Sequence, residues 1–227
     1  MKKYMKLAVP VVLLALAACE KPAPNTGTRV LGNLSDEVNI ECCYPENTYS
    51  MHVDEGFTLD SIAFGNGAAS EWLTVYMEND LLMVHVDANE GEATREESFG
   101  VFSGDYSYEV SVVQTPEPTM YVEYKGAGID LDYYVELGEG ATDMRIAALE
   151  ADVWDGLLNH DKDMIVDYML SQDSPGVYDY SDYLELRDSD GVLNIGFIGG
   201  STGVFCFALD KDGNVGDYEE RIGIGCY

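Results

Sequence analysis

The sequence predicts a mainly β protein with two antiparallel β-sandwich domains in tandem, the second carrying a short helical insertion. Three observations predict it. Apolar residues alternate with polar ones: Leu82, Val84 and Val86 against Met83 and His85, and Val110 and Val112 against Glu109 and Ser111. That period of two puts one strand face in a core and the other in water. Turn residues then recur at short spacing, at Gly56, Gly65-Asn66-Gly67, 89–91 and Gly104-Asp105. Finally, Pro116 and Pro118 break the pattern in mid-chain and mark a linker.

The composition supports folding and narrows the partners. Of 227 residues, 46% are hydrophobic and 11% aromatic, which is enough to build cores. The chain carries 42 acidic residues against 12 lysines and arginines, a net charge of −30. Such a surface repels nucleic acid and anionic lipid head groups, so neither is a direct partner.

Lys2, Lys3 and Lys6 precede an apolar run over residues 7–18. That run is too short to span a bilayer permanently and has the layout of an export signal. Leu16-Ala17-Ala18-Cys19 resembles the lipobox of bacterial lipoproteins. The resemblance implies removal of residues 1–18 and lipid attachment at Cys19. Loss of the three lysines takes the net charge to −33. Residues 20–34 are rich in Pro, Gly, Asn and Thr and read as a flexible tether, so 19–34 is expected to be lipidated cysteine plus spacer.

Residues 35–115 read as the first sandwich, with no helix of useful length. Within it stand Glu71-Trp72-Leu73-Thr74-Val75, then Val84 to Asn89, then Arg95, then Val110-Ser111-Val112-Val113-Gln114. In that order these elements resemble the BACON domain, an immunoglobulin-like module of Bacteroidetes lipoproteins and glycan-degrading enzymes. The opening with Cys42 and Cys43 departs from that family's usual Ser/Gly-rich start.

Residues 116–227 read as the second sandwich, with strands expected over 120–124, 131–137, 144–150, 183–186, 193–197, 203–209 and 221–226. Two short helices are expected in an insert around 152–171. Asp152 would cap 153–158 and Asp161 would cap 164–170, with Met164, Ile165, Tyr168 and Met169 on the buried face. The run from Gly203 through Asp210-Lys211-Asp212-Gly213-Asn214 resembles the last hairpin of fibronectin type III-like domains in Bacteroidetes lipoproteins. In those domains a helical insertion between middle strands is common.

Candidate site residues are of three kinds. Tyr178, Tyr180 and Tyr183 alternate with Asp179, Ser181 and Asp182. In a strand the three rings would share one face, either stacking on sugar rings or packing against a partner sheet. Trp154, between Asp152 and Asp155, either packs the insert down or faces out as a further sugar platform. Asp210, Asp212, Asn214 and Glu219 can be set on a calcium-loop template with Gly213 at the turn, although an Asp-Gly-Asn hairpin has the same chemistry and Ala208 stands where a first carboxylate is needed.

Catalytic patterns are weak. His52, His85 and His160 fall on no metal-ligand spacing, and no nucleophile elbow, phosphate loop or dinucleotide fingerprint occurs. Cys42, Cys43, Cys206 and Cys226 allow three disulfide connectivities or buried free thiols, and no CxxC pair suggests zinc. The reading is therefore a non-catalytic, lipid-anchored outer-membrane protein that binds carbohydrate or presents a binding module. The alternative is an adhesion or structural protein that binds another envelope protein through its sandwiches.

Overall fold

The structure is a computed structural model and describes residues 28–65, 67, 70–126, 131–171, 176–196 and 201–225. The export signal, Cys19, residues 20–27 of the tether and Cys226 lie outside the described residues.

The chain is mainly β, as its alternation predicts. In the first sandwich, β1 (Thr28–Asn33), β3 (Asn47–His52), β6 (Leu81–Val86) and β5 (Leu73–Glu78) form one sheet in the order β1-β3-β6-β5. The other sheet, in the order β2-β8-β7-β4, holds β2 (Glu37–Cys42), β8 (Tyr106–Gln114), β7 (Arg95–Ser103) and β4 (Ser61–Phe64). Ile40, Tyr49, Met51, Leu82, Val84, Val86, Phe99, Val101, Val110 and Val112 fill the space between them.

Two edge pairs run parallel, β1 with β3 and β2 with β8. Strand β1 corrects the tether reading, since its backbone pairs with Thr48, Tyr49 and Ser50 and Arg29 meets Asp212 at 2.9 Å. Pro/Gly composition describes local stiffness only. Here a vacant strand edge and a distant carboxylate order the segment.

At one end of this sandwich the residues quoted for the family resemblance converge. Gln114 is fully buried and accepts from Arg95 Nε at 2.8 Å. Its two amide N–H groups are shared among the carbonyls of Cys43 (3.1 Å), Tyr44 (3.2 Å) and Asp87 (3.0 Å). Arg95 also donates to the Asp87 carbonyl and stacks 4.5 Å from the Trp72 ring centre. Asn89 donates to the carbonyls of Ala93 and Gln114 and accepts from the Gly91 N–H. The large majority of buried polar groups in folded proteins are satisfied in this way.

In the second sandwich, β9 (Met120–Tyr124), β10 (Asp132–Leu137) and β13 (Val192–Asn194) form a sheet in the order β13-β10-β9. Facing it is a sheet in the order β12-β11-β14-β15, made of β12 (Val177–Asp179), β11 (Asp143–Glu150), β14 (Ser201–Leu209) and β15 (Val215–Gly225). Inward-facing Leu131, Tyr133, Val135, Met144, Ile146, Val204 and Cys206 make the core between the sheets. The run 204–209 in β14 is buried on both faces, because Phe205, Phe207 and Leu209 point outward into a second core. A helical insert covers them, and continuous apolar strands are the mark of a sheet covered on both sides.

That insert is a π-helical turn, Asp152–Leu157, followed by α1 (Lys162–Leu170). Asp161 caps α1 as expected, accepting from the Met164 N–H at 3.0 Å. Asp161→Ala is expected to cost about 1 kcal/mol, read from the urea midpoint at unchanged slope. Asp152 does not cap the first turn; Ala151 stands there and contributes no side-chain bond. On α1 the buried set is Ile165, Val166 and Met169, while Met164 is exposed, a rotation of the expected face by one position.

The sandwiches touch through polar contacts. Besides Arg29 with Asp212, Lys211 meets Glu41 at 3.3 Å, the Tyr44 hydroxyl donates to the Val215 carbonyl, and Glu139 accepts from Thr94 N–H and Oγ1.

Candidate functional site

The tyrosine run does not form the expected strand. Strand β12 ends at Asp179, and α2 (Tyr180–Leu186) begins at once. Asp179 accepts from the Asp182 N–H at 2.8 Å, and Asp182 reaches back to the Asp179 N–H at 3.2 Å. This reciprocal cap starts a helix and overrides the period-two pattern. Tyr183 is fully buried, and Tyr180 stacks on it with centroids 5.8 Å apart. Tyr178 and Tyr180 pack half-buried against the same core. The three rings therefore present no common open face.

Trp154 is buried and packs the insert down. It lies 6.2 Å from Phe205 and edge-on to His160 at 5.1 Å. Gly203 permits this approach: a Cβ there would stand 2.8 Å from the Phe205 ring and 3.2 Å from Trp154 Nε1. The sugar-platform reading of Trp154 thus gives way to a packing role.

The acidic loop is a hairpin turn between β14 and β15. Buried Asp210 accepts from the N–H groups of Asp212 and Asn214, both at 2.9 Å, and from Asn214 Nδ2 at 2.7 Å. Asp212 is paired with Arg29, and Glu219 sits on β15 opposite Cys206. These carboxylates do not converge, and the described residues hold no group of three or more acidic, His or Cys side chains set to bind a metal.

Cys42, Cys43 and Cys206 are buried free thiols. Burial raises Cys42 from 9.0 to about 11. Burial, with the charges of Asp210 and Asp212, raises Cys43 to about 12, and burial raises Cys206 further. The protonated thiols thus contribute stability that is present below about pH 9 and lost as pH rises through the folded values. Peptide mapping after iodoacetamide treatment at pH 8 is expected to show the three modified at about a hundredth of a free thiol's rate or less.

One sheet face of the second sandwich stays open. The insert covers the outer face of β12-β11-β14-β15, but nothing among the described residues covers the outer face of β13-β10-β9. There Tyr121 is 55% exposed. Register places it opposite Glu136, and Tyr134 opposite Glu123. The two rings meet edge-on with centroids 6.4 Å apart. The Tyr121 hydroxyl donates to Glu123 at 3.2 Å and the Tyr134 hydroxyl to Glu136 at 3.3 Å. Lys125 pairs with Glu123 at 2.6 Å, which lowers the carboxyl pKa, and lies 5.9 Å from the Tyr134 ring centre. Asn194 donates to Asp132 on the same face. Two aromatic rings ringed by hydrogen-bonding groups can stack on apolar ring faces and bond hydroxyls at once. A signal for this face stands in the sequence: the triplet Tyr-Val-Glu occurs at 121–123 and again at 134–136. In both copies the valine points to the core.

A second open face lies on the first sandwich. A groove of about 660 Å³ runs beside Phe102, whose ring folds over Gly100 and stands among Asp36, Glu37 and Glu109.

No protein-family model and no curated protein matches the chain. Among solved structures, it is similar to a protein from Bacteroides thetaiotaomicron (22% identity, 35% of this chain and 75% of that one, TM-score 0.27). It is also similar to a three-immunoglobulin-domain segment of titin (9% identity, 83% of this chain and 62% of that one, TM-score 0.41). A third similarity is to an endo-fucoidan hydrolase of glycoside hydrolase family 107 (12% identity, TM-score 0.29). It covers 83% of this chain and 33% of the hydrolase. The fold described above rests on strand pairing and not on these likenesses.

Proposed function

We propose that this chain is a non-catalytic, lipid-anchored protein of the bacterial outer membrane whose open β13-β10-β9 face binds neutral carbohydrate. The observation that carries the reading is the Tyr121–Tyr134 pair with its bonded carboxylates on an uncovered sheet. Lipid attachment at Cys19 would hold the sandwiches outside the cytoplasm. The BACON and fibronectin type III resemblances fit that setting, with Trp72, Asn89, Arg95 and Gln114 as structural residues of the first module. The net charge of −30 and the prevalence of Glu and Asp on the face favour uncharged sugars over sulfated or uronic ones. Calcium has no part in this reading, because Asp210 is occupied by its own turn.

The test is a glycan array carrying neutral, sulfated and uronic chains, probed with residues 20–227, which keep every described residue. Capture confined to neutral glycans is expected. A blank array, or capture of acidic chains alone, would sink the proposal and redirect the search to a protein partner.

A further inference from the structure

The outer face of the β2-β8-β7-β4 sheet carries a row of residues that crosses all four strands. Register sets Ala63 opposite Gly100, Gly100 opposite Glu109, and Glu109 opposite Glu37. One half of the row is bare and the other half is doubly charged. Phe102 follows Gly100 on the same face and turns its ring back over it. A Cβ at Gly100 would stand 3.0 Å from two atoms of that ring. The residue is 36% exposed. Its backbone is fixed, because the Phe102 carbonyl accepts from the Asp60 N–H at 2.9 Å. Across the groove the Glu109 N–H donates to the Asp36 carbonyl at 2.9 Å, which brings a third carboxylate to the lining.

Like charges directly opposite each other destabilise a strand pair. Among the described residues no cation offsets Glu37, Glu109 or Asp36. Arg29 and Arg95 are the only lysines or arginines from 28 to 115, and both are held elsewhere, Arg29 on Asp212 and Arg95 on Gln114 and Trp72. A cation for this groove therefore comes from another molecule. A guanidinium matches it best, since it stacks on a ring and donates in its own plane to carboxylates at once. The groove of about 660 Å³ is large enough for several residues, and its floor at Ala63, Gly100 and Ser98 is low enough for a backbone to approach. A second copy of this chain, at a net charge of −30, is repelled.

We propose that this groove docks an extended, arginine-bearing segment of another protein. The arginine guanidinium stacks on Phe102 and donates to Glu37 and Glu109, while Asp36 adds attraction at the rim. The segment's backbone crosses the small-residue floor. The site is on the first sandwich and is independent of the tyrosine face on the second, so either can fail without the other.

The probe is the end-capped peptide Ala-Ala-Arg-Ala-Ala, titrated into ¹⁵N-labelled residues 20–227. Salt at about 0.15 M screens its general attraction to an acidic surface. The controls are the same peptide with citrulline, the uncharged isostere, in place of arginine, and methylguanidinium alone. The arginine peptide is expected to shift the amides of Gly100, Phe102 and Glu109 in a saturable way, and the citrulline peptide is not. Phe102→Ala should cut the affinity about fivefold at an almost unchanged melting temperature, because the ring lies on the surface. Glu37→Gln should also weaken binding, yet raise the melting temperature by relieving the opposed charges. A purely structural role for Glu37 would not move the two readouts in opposite senses. No saturable shift, shifts spread over the acidic surface, an equal response to citrulline, or binding undiminished in Phe102→Ala would overturn the proposal. So would methylguanidinium binding as tightly as the peptide, which would make the groove a small-cation site.

Discussion

Gln114→Ala is expected to remove about 3–5 kcal/mol from the first sandwich, a large part of what such a domain has. The change leaves the Cys43 carbonyl without its amide donor and takes the Arg95 Nε acceptor away, while the Tyr44 and Asp87 carbonyls each lose one donor and keep another, the Asn89 N–H and Arg95 respectively. Gln114 is fully buried, so water does not replace the lost partners cheaply. Gln114→Glu is the sharper control. It keeps an acceptor for Arg95 but turns a charged oxygen toward three carbonyls, and is expected to destabilise at least as much. Urea unfolding of both variants reads the effect, and a loss below about 1 kcal/mol would show that the convergence does not hold the domain together.

Tyr183→Ala is expected to cost about 4–5 kcal/mol and to release α2 from the second sandwich. The residue is fully buried; its hydroxyl donates to the Gly191 carbonyl and accepts from the Val135 N–H at 3.2 Å. Strand β13 reaches only as far as Tyr134 on β10, so Tyr183 supplies the bond that the ladder no longer gives Val135. Tyr183→Phe isolates this part and should cost about 2 kcal/mol, since it orphans the buried Val135 N–H and removes the donor from the half-buried Gly191 carbonyl. Far-UV circular dichroism with urea titration separates the two variants. Loss of sugar binding in Tyr183→Ala would therefore report unfolding and not a missing contact.

Strands whose inner face is a period-two row of apolar residues were legible in the sequence, as β6, β8, β9, β10 and β11 show. Strand β1 was not, because its order comes from the edge of β3 and from Asp212, both distant in the chain. The α2 segment misled because Tyr178-Asp179-Tyr180-Ser181-Asp182-Tyr183 satisfies two patterns at once. Its alternation suits a strand, while Asp179 and Asp182 stand at helix-capping spacing. The cap prevailed because Tyr183 then reaches the core and Gly191. Trp154 could not be placed from its neighbours, since what receives it is the bare backbone of Gly203 on a later strand. For Trp72, Asn89, Arg95 and Gln114 the residue set was legible, but their meeting at one end of the sandwich was not. The open tyrosine face escaped notice because aromatic rings at period two look alike whether they face a core or water. Only the pairing register, with Tyr121 opposite Glu136 and Tyr134 opposite Glu123, sets the two Tyr-Val-Glu triplets side by side.

The most direct measurement compares Tyr121→Ala/Tyr134→Ala with the unaltered chain, for affinity toward any neutral glycan the array captures and for melting temperature. Carbohydrate binding on the open face predicts an affinity loss of about tenfold or more at an almost unchanged melting temperature. Undiminished binding in the double variant would contradict it and place the sugar elsewhere on the molecule.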